Sequence, residues 1–462
     1  MKQYDAIVIG SGQAGSPLAK KLANAGKKTL LVEKRFIGGT CVNDGCTPTK
    51  TMVASARLAY LGQRCNDMGV KIKGYTVNMP QVKKHKDGIV LKSRNGGQEA
   101  IEKTKNLDLI FGEAVFIDNK TIDVNPKKGK NMQFKADLIF INTGCKPYIP
   151  DNIEGLDGIE YLTSTSIMEL DKAPEHLLVI GGNYIGLEFG QMFARFGSKI
   201  TILERSGHIL PREDNDIALE VTRILEQEKI KIHTGASLSK VKQKVGGKIT
   251  AYFTVGDQEK KIKCSHILLA VGRTPQTVSL GLDKTGVATD DKGYIKVNNK
   301  LETNVKGIYA LGDVKGGPAF THISYNDYTI VYRNLIEKKN LSIKDRPVPY
   351  CMFTDPELGR IGITETEAKK QGLNIKVAKL PMAHVARAIE TGDTRGVMKA
   401  VVDADTKQIL GVAIVGSEGG EIMSVLQMAM MGKITYEQIR YCVFAHPTFS
   451  ESLNNLFMAI ED

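Results

Sequence analysis

Short apolar runs that end at glycine-rich turns recur along this chain and predict alternating strands and helices. The first run, residues 6–9, leads into such a turn, and residues 16–25 have the periodicity of a helix that Gly26 ends. Residues 28–33 form a second, largely apolar run that ends at an acidic residue. Because strand, helix and strand in this order make a βαβ unit, the chain opens with the pattern of a parallel α/β fold.

The same order returns further along the chain, where the run 177–180, a glycine turn and the run 199–203 flank a second helical stretch. Three more apolar runs end at a glycine turn, at residues 138–141, 267–271 and 308–311. After about residue 348 the pattern changes to strands at 397–402 and 409–415, followed by helices at 421–431 and 436–441. We therefore predict an α/β fold with two Rossmann-like dinucleotide-binding domains and a C-terminal α+β domain.

The first turn carries a Gly-x-Gly-x-x-Gly fingerprint. In this motif Gly10 allows the tight turn, Gly12 lets the backbone approach a pyrophosphate, and Gly15 lets helix and strand pack closely. Glu33, at the end of the second strand, can accept hydrogen bonds from an adenosine ribose. A preceding strand, a following helix and an acid about 20 residues downstream favour a dinucleotide site over a glycine turn without a ligand.

The second turn repeats the fingerprint at Gly181, Gly182 and Gly186, but Asn183 stands at the middle glycine position. Asn adopts left-handed backbone more readily than most residues, so we expect the turn to survive. Glu204 ends the next strand and favours a free ribose hydroxyl, hence NADH. NADPH remains an alternative because the adjacent Arg205 is a cation, which a 2′-phosphate prefers.

Length and composition narrow the class of protein. The 462 residues suggest about three domains. A hydrophobic content of 42% without an apolar run of about 20 residues excludes disorder and membrane spanning. We expect no signal peptide at the N-terminus. Seven scattered cysteines, an odd number, argue against a secreted disulfide scaffold and for a cytoplasmic location.

The formal net charge of +12 raises the possibility of nucleic-acid binding. The basic clusters lack interleaved aromatic residues, and the chain contains no Trp for base stacking. These clusters are Lys83, Lys84 and Lys86, then Lys127, Lys128 and Lys130, then Lys260, Lys261 and Lys263. We interpret them as solvated surface and expect no nucleic-acid partner.

Cys41 and Cys46 lie just before a predicted helix that has Pro48 in its first turn. The helix dipole and Lys50, one turn on, are expected to lower the pKa of the Cys46 thiol. A zinc site is excluded because no second Cys/His pair stands at a suitable spacing. A buried, inert pair remains the alternative. The pattern favours a redox-active dithiol, with no resident metal.

Two further motifs carry acid–base groups. His446 with Glu451 is suited to managing the proton of a thiol, because a carboxylate on one ring nitrogen fixes the tautomer. Asp313 follows the run 308–311 and is placed to bind a ribose or ribityl hydroxyl, although a helix cap is an equal alternative.

Over essentially its whole length the sequence resembles the FAD-dependent pyridine nucleotide-disulfide oxidoreductases, class I, which include dihydrolipoyl dehydrogenase, glutathione reductase and mercuric reductase. The resemblance is carried by the two fingerprints, the block 38–50 with both cysteines, Thr143-Gly144, Gly312-Asp313 and the block 444–454. The blocks 211–214 and 393–396 are similar to the mercuric-reductase-like branch that includes the reactive-chlorine-resistance flavoprotein.

The resemblance implies a role for each matching residue. FAD would be bound by Gly10, Gly12, Gly15, Glu33, Gly39, Thr40, Thr143, Gly144, Gly312 and Asp313. NAD(P)H, with NADH favoured, would be bound by Gly181, Gly182, Tyr184, Ile185, Gly186, Glu204 and Gly272. The catalytic set would be Cys46 against the flavin, Cys41 as the exposed exchanging thiol, Lys50 paired with Glu188, and His446 with Glu451 from the other subunit.

The resemblance also implies the domain order and the activity. FAD-binding segments would span 1–150 and 276–346, the NAD(P)-binding domain 151–275, and the dimerisation domain of a homodimer 347–462. The expected enzyme passes electrons from NAD(P)H through the Cys41–Cys46 disulfide to a disulfide, a soft metal ion such as Hg(II) or Cu(II), or another oxidised acceptor.

Alternatives to this function are a dihydrolipoyl dehydrogenase and, outside the enzymes, a regulatory flavoprotein that contacts nucleic acid. The C-terminal cysteine pair and N-terminal metal-binding module of typical mercuric reductases are not seen, which argues against mercury detoxification. Cys442 could replace that pair as a ligand, but we expect it to be buried.

Overall fold

The computed structural model describes residues 1–126, 129–243 and 246–460, so Lys127 and Lys128 of the basic clusters lie outside the described residues. The chain divides into two compact units. The first unit comprises Met1–Thr51, Lys83–Tyr148 and Gly272–Arg346, and the second comprises Met52–Val82, Ile149–Val271 and Pro347–Asp462. The predicted boundaries after residues 150, 275 and 346 stay predictions.

The α-helices of the described residues are α1 (Gly15–Asn24), α2 (Gly39–Asn43), α3 (Cys46–Arg64), α4 (Met79–Glu102), α5 (Tyr184–Arg195), α6 (Asn215–Gln227), α7 (Thr321–Leu335), α8 (Glu365–Lys370), α9 (Ala386–Glu390), α10 (Gly419–Met431), α11 (Tyr436–Arg440) and α12 (Ser452–Met458). Short 3-10 helices cover Cys65–Met68, Leu156–Gly158, Ser166–Glu169, Val278–Leu280, Leu282–Lys284, Gly312–Lys315 and Met382–His384.

The strands of the described residues are β1 (Lys2–Ile9), β2 (Thr29–Glu33), β3 (Leu107–Phe116), β4 (Thr121–Pro126), β5 (Met132–Ile141), β6 (Cys145–Pro147), β7 (His176–Ile180), β8 (Lys199–Leu203), β9 (Lys231–His233), β10 (Ala236–Gln243), β11 (Ile249–Val255), β12 (Gln258–Cys264), β13 (His266–Leu269), β14 (Arg273–Pro275), β15 (Ile308–Ala310), β16 (Tyr350–Met352), β17 (Glu357–Gly362), β18 (Ile375–Pro381), β19 (Val397–Asp403) and β20 (Ile409–Gly416).

The first unit is built on a parallel sheet in the order β3-β2-β1-β5-β15, with β4 antiparallel to both β3 and β5. Along β1 the side chains alternate between two apolar clusters, Ile7 and Ile9 in one and Ala6 and Val8 in the other. Burial on both faces explains why residues 6–9 of this strand form an unbroken apolar run. The predicted opening βαβ unit is confirmed as β1, α1 and β2.

The second unit contains a parallel sheet in the order β13-β7-β8-β9, a small antiparallel sheet β10-β11-β12, and a five-stranded antiparallel sheet β16-β17-β20-β19-β18. Along β7 the side chains again alternate, with Leu177 and Val179 in one apolar cluster and Leu178 and Ile180 in another. The predicted strands and helices beyond residue 348 are confirmed as β19, β20, α10 and α11. The predicted fold class is therefore confirmed.

Candidate active site

The first glycine turn lies between the end of β1 and the start of α1. Gly10 has a φ of +98°, and a side chain there would bring Cβ within 2.4 Å of the Asn142 carbonyl oxygen. A Cβ on Gly15 would lie 1.9 Å from the Gly10 carbonyl oxygen. Glu33 lies under the turn, and its carboxylate accepts hydrogen bonds from the Ser11 N–H at 2.9 Å and the Ser11 hydroxyl at 2.7 Å.

Asn142, which sequence reasoning did not assign to the site, supports this turn from the end of β5. Its Oδ1 accepts the Gly15 N–H at 2.9 Å, and its Nδ2 donates to the Leu311 carbonyl at 2.8 Å. The side chain therefore joins the start of α1 to the chain that follows β15. A polar residue directly after a buried strand and before Thr143-Gly144 is the signal that could have found it.

The first turn is suited to an anionic group such as a pyrophosphate. A Cβ on Gly39 would lie 2.6 Å from the Gly12 Cα, so these two backbones approach each other where no side chain can fit. The N-cap residue of α1, Ala14, makes no side-chain cap hydrogen bond, and the positive end of the helix dipole at this turn favours an anion. The residues predicted to hold FAD pyrophosphate therefore fit that group.

The turn that carries Asp313 is held by a buried carboxylate. Gly312 donates its N–H to Asp327 Oδ2 at 2.8 Å, and Asp327 is ion-paired with Lys315 at 3.4 Å and Arg346 at 2.6 Å. Asp313 is the second residue of a short 3-10 helix, Gly312–Lys315, whose N-cap is Leu311, and burial raises the pKa of the Asp313 carboxyl. Arg273 Nη2 lies 4.0 Å from Asp313 Oδ2. In the same unit Thr143 donates its hydroxyl to the Gln276 carbonyl at 2.9 Å, next to Gly144.

The cysteine pair lies where α2 ends and α3 begins, in the segment Met1–Thr51 of the first unit. Cys41 is in α2, together with Gly39 and Thr40, and Cys46 is the first residue of α3, as the sequence predicts. The two thiols share a hydrogen bond, which together with burial raises the pKa of the Cys41 thiol, while the Lys50 charge acts in the opposite direction.

In the chain by itself Cys46 is exposed and Cys41 is partly exposed, and a Cβ on Gly45 would lie 2.9 Å from the Thr40 carbonyl oxygen. Which thiol faces the flavin and which exchanges with substrate stays a prediction. The Cys46 Sγ also lies 3.2 Å from the Thr321 Oγ1, and Thr321 begins α7. Thr321 was missed because 275 residues separate it from Cys46 and no motif marks it.

The second glycine turn repeats the first between β7 and α5. A Cβ on Gly181 would lie 2.4 Å from the Ala270 carbonyl oxygen, and one on Gly186 would lie 1.9 Å from the Gly181 carbonyl oxygen. Glu204 accepts the Gly182 N–H at 2.7 Å.

The turn is formed with Asn183 at the middle position, as expected, but Asn183 does not use left-handed backbone. Its φ is −111° and its backbone is extended, because it is the N-cap of α5 and the left-handed position belongs to Gly181. The Asn183 side chain accepts the Tyr184 N–H at 2.9 Å. The departure from the fingerprint therefore preserves the turn through a cap rather than through αL backbone.

The other predicted nicotinamide-site residues lie on α5, apart from Gly272, which belongs to the first unit. Tyr184 and Ile185 form its first turn, and Glu188, one turn later, is 7% exposed and accepts the Phe353 N–H at 2.8 Å. The pairing of Glu188 with Lys50 stays a prediction, as do the ligands of all these residues.

His446 and Glu451 form the predicted pair. The ring Nδ1 lies 2.9 Å and 3.1 Å from the two Glu451 carboxylate oxygens, and the His446 side chain is 67% exposed. Because a carboxylate only accepts, Nδ1 carries the proton and Nε2 is the nitrogen that can take another. The role of this pair in managing the proton of a thiol stays a prediction.

The expectation that Cys442 is buried is wrong. Asn454 Nδ2 donates to the Ile439, Arg440 and Cys442 carbonyls at 2.7, 3.2 and 3.0 Å. These bonds satisfy backbone carbonyls of the segment 439–442. The side chains of residues 441–443 are exposed to solvent.

Comparison with known proteins decides the family. Residues 4–327 match the family described as pyridine nucleotide-disulphide oxidoreductase, and residues 348–457 match the dimerisation domain of the same family. The chain belongs to this family. It is therefore an oxidoreductase, and the family depends on FAD and a pyridine nucleotide, with a disulfide redox centre.

Several relatives within this family cover nearly the whole chain. The probable pyridine nucleotide-disulfide oxidoreductase RclA of Escherichia coli (strain K12) is 37% identical, covering 100% of both chains. The mercuric reductase of Staphylococcus aureus is 36% identical over 97% of this chain and 81% of its own. The dihydrolipoyl dehydrogenase of Thermus scotoductus is 35% identical over 98% and 96%.

A solved structure agrees with these relatives. The Cu(II) complex of HOCl-induced flavoprotein disulfide reductase RclA from Escherichia coli superposes with a TM-score of 0.91, at 36% identity over 99% of both chains. Within the described residues, no helix combines the length and apolar character needed to cross a membrane.

Proposed function

We propose that the chain is a homodimeric NAD(P)H-dependent flavoenzyme whose Cys41–Cys46 pair reduces a soft metal ion, Cu(II) or Hg(II), or a disulfide. The observation that carries this proposal is the pair of hydrogen-bonded thiols, Cys41 in α2 and Cys46 at the start of α3, with the Cys46 Sγ 3.2 Å from the Thr321 hydroxyl oxygen. Soft thiolate ligands favour Cu(I), the product of Cu(II) reduction. The Cu(II) complex of the similar flavoprotein supports the metal as acceptor.

We assign the cofactors to the two glycine turns. FAD would be held in the segments 1–150 and 276–346 by the first turn, Glu33 and Asp313, and the nicotinamide dinucleotide in 151–275 by the second turn. When bound, the flavin would supply transfer of two electrons from the nicotinamide to the disulfide. Residues 347–462 would form the dimer.

The chain's own residues prepare the thiol. The N-terminus of α3 and the Lys50 ammonium favour a thiolate at Cys46, and the Thr321 hydroxyl can donate to it at 3.2 Å. A proton released by the dithiol would pass to His446 Nε2 of a second subunit, since Glu451 holds Nδ1. Exposure of Tyr441 (73%) and Val443 (95%) near that histidine supports a subunit contact there.

NADH is the preferred donor in this proposal. Glu204 lies at the end of β8, where its negative charge would repel a 2′-phosphate. The neighbouring Arg205 is exposed. We therefore expect kcat/KM to be higher for NADH than for NADPH, and Arg205→Ala to widen that ratio. A higher kcat/KM for NADPH would contradict this preference. From the scattered cysteines we also infer a reducing, cytoplasmic location.

The deciding experiment is anaerobic turnover of purified holoenzyme with NADH or NADPH against Cu(II), Hg(II), lipoamide and glutathione disulfide. We expect Cys41→Ser and Cys46→Ser to lose turnover and Cys65→Ser, a cysteine outside the pair, to retain it. Faster turnover with lipoamide than with any other acceptor would establish a dihydrolipoyl dehydrogenase instead. Equal turnover by Cys46→Ser and the wild type would overturn the proposal.

The thiolate assignment has a separate test. Cys46→Ser should abolish the long-wavelength thiolate–flavin absorbance of the two-electron-reduced enzyme. Thr321→Val should raise the pH at which this band appears, because the thiolate loses a hydrogen-bond donor, and Thr321→Ser should restore it. Thr329→Val is the matched control on the same helix, since that hydroxyl bonds the Tyr325 carbonyl. An unchanged midpoint in Thr321→Val would remove Thr321 from the site.

A further inference from the structure

Tyr184 is the first residue of α5, directly after the second glycine turn, and is half-buried. Its ring lies 5.3 Å from the ring of Tyr350, at an interplanar angle of 43°. The two phenol groups are hydrogen-bonded, and burial raises the pKa of Tyr184 to about 12. The side chain that directly follows the second glycine turn is therefore held by a neighbour, Tyr350, that no sequence motif marks.

The chain of hydroxyl groups ends at a buried carboxyl group. Tyr350 donates its hydroxyl to Glu213 Oε1, and the Glu213 side chain is 0% exposed. Arg360, whose side chain is 3% exposed, has its Nε 3.7 Å from Glu213 Oε2. Within the described residues, Glu213 Oε2 and Arg360 Nη2 have no hydrogen-bond partner.

This arrangement is costly for a purely structural element. Buried polar atoms are nearly always hydrogen-bonded, and apolar side chains of similar size commonly replace a buried ion pair without loss of stability. Two unsatisfied atoms on one buried pair call for an explanation. Through Tyr350 and Tyr184 the pair is joined to the start of α5, directly after the second glycine turn.

The backbone also ties Glu213 to the turn. Leu210, a buried residue with a φ of +51°, donates its N–H to the Gly182 carbonyl at 2.9 Å. Glu213 donates its own N–H to the Leu210 carbonyl at 2.9 Å. Left-handed backbone at a non-glycine residue costs free energy and tends to occur at functional sites. The segment is thereby held in register with the residues that would contact a dinucleotide.

We propose that Glu213 is a positioning residue that acts through Tyr350 to hold Tyr184 in place for the nicotinamide dinucleotide. The inference rests on the proposed function, in that the second turn binds this nucleotide. Loss of the Tyr350 hydroxyl or of the Glu213 acceptor frees the Tyr184 side chain, so the bound nucleotide must then immobilise it.

The test is a double-mutant cycle. The measured quantity is the Kd of the oxidised holoenzyme for NAD⁺, with NADP⁺ in parallel, and binding is detected by the perturbation of the flavin spectrum. Tyr350→Phe should raise the Kd about 3- to 10-fold, the factor that one lost hydrogen bond contributes. In a Tyr184→Phe background the same change should have no further effect on the Kd, although it should still lower the melting temperature.

Variants of the carboxyl group separate positioning from folding. Glu213→Gln keeps an acceptor for Tyr350 and should bind NAD⁺ within about twofold of the wild type. Glu213→Met combined with Arg360→Met replaces the buried pair by apolar side chains, should fold, and should match the Kd of Tyr350→Phe. The control is Tyr436→Phe, which removes the hydroxyl of a buried tyrosine elsewhere in the same unit. It should leave the Kd for NAD⁺ unchanged.

Equal effects of Tyr350→Phe in both backgrounds, or a lowered melting temperature with an unchanged Kd, would overturn the inference while leaving the proposed function intact. A wild-type holoenzyme that bound neither nucleotide and whose flavin neither NADH nor NADPH reduced would overturn both. The two failures are thus told apart by the wild type alone.

Discussion

In both glycine turns the acidic residue at the end of the second strand accepts backbone N–H groups in the same pattern. The two turns differ in the other residues that support them. Glu33 accepts the Ser11 N–H and the Arg35 N–H, and Glu204 accepts the Gly182 N–H and the Ser206 N–H in the same pattern.

The first turn is then supported by one side chain, Asn142. The second is supported by a backbone segment that passes through the left-handed Leu210 and ends at Asp214. A common fingerprint therefore does not imply a common structural support, and the two turns should respond differently to mutation.

The largest expected effect comes from adding a methyl group at the third glycine of each turn. In Gly15→Ala and in Gly186→Ala the new Cβ would lie 1.9 Å from a backbone carbonyl oxygen. We expect Gly15→Ala to lower the flavin content about tenfold or more, a loss of at least 1.4 kcal/mol of binding free energy. Gly186→Ala should retain flavin and lose NADH-dependent flavin reduction. Flavin absorbance and stopped-flow reduction by NADH measure the two effects.

Loss of flavin in both variants, or in neither, would contradict the assignment of the flavin to the first turn and of the nicotinamide dinucleotide to the second. Gly26→Ala is not an adequate control because its φ is +85°. Gly88→Ala on α4 is suitable, since a Cβ there meets open space. It should retain both flavin and its reduction by NADH.

Asn142→Ala should have the next largest effect. It leaves the Gly15 N–H and the Leu311 carbonyl without their partner, and each buried unsatisfied group costs about 1–3 kcal/mol. We expect weaker FAD binding, measured as flavin released on dilution, and a lower melting temperature. Asn454→Ala also removes bonds to backbone carbonyls and should lower the melting temperature without releasing flavin. Flavin retention by Asn142→Ala equal to that of Asn454→Ala would contradict the support role.

The sequence predicted the parts of these sites that are local. Each βαβ unit is recognisable because β1 and β7 are buried on both faces and the turn residues are adjacent in the chain. Asn142, Thr321 and Glu213 were not predictable, because their partners lie 127, 275 and 137 residues away. The exposure of Cys442 was mispredicted, and the N-cap by which Asn183 preserves the turn was not foreseen, because tertiary hydrogen bonds and helix capping decide these features.

A smaller, pH-dependent effect on stability is expected at Asp214, where the backbone segment that supports the second turn ends. Asp214 is buried, which raises its pKa, but hydrogen bonds from Thr366 and Lys399 outweigh burial and hold the pKa below its usual value. A carboxyl group with a depressed folded-state pKa contributes stability above its unfolded pKa, about 3.9, and loses it as the pH falls towards the folded-state value.

Asp214→Asn should therefore lower the melting temperature at pH 7 and weaken NAD⁺ binding, with flavin content unchanged. Its difference from the wild type should shrink as the pH falls below about 4. Asp67→Asn, at an exposed acid of the same unit, should show no such difference. A destabilisation of Asp214→Asn that stayed constant down to acid pH would show that packing, rather than charge, anchors the segment.

The smallest effect is expected from restoring the missing glycine of the second turn. In Asn183→Gly the Tyr184 N–H loses its side-chain acceptor, and glycine costs only a few tenths of a kcal/mol relative to Asn at an N-cap. The freed N–H at the helix N-terminus becomes available to a phosphate. We expect NAD⁺ to bind about two- to threefold more tightly, with the melting temperature slightly lower. Because Asn183 is already extended, the change removes a cap without altering the turn. Weaker binding in Asn183→Gly would mean that the Asn side chain itself contacts the nucleotide, and the two turns would then differ in their ligand contacts as well as in their support.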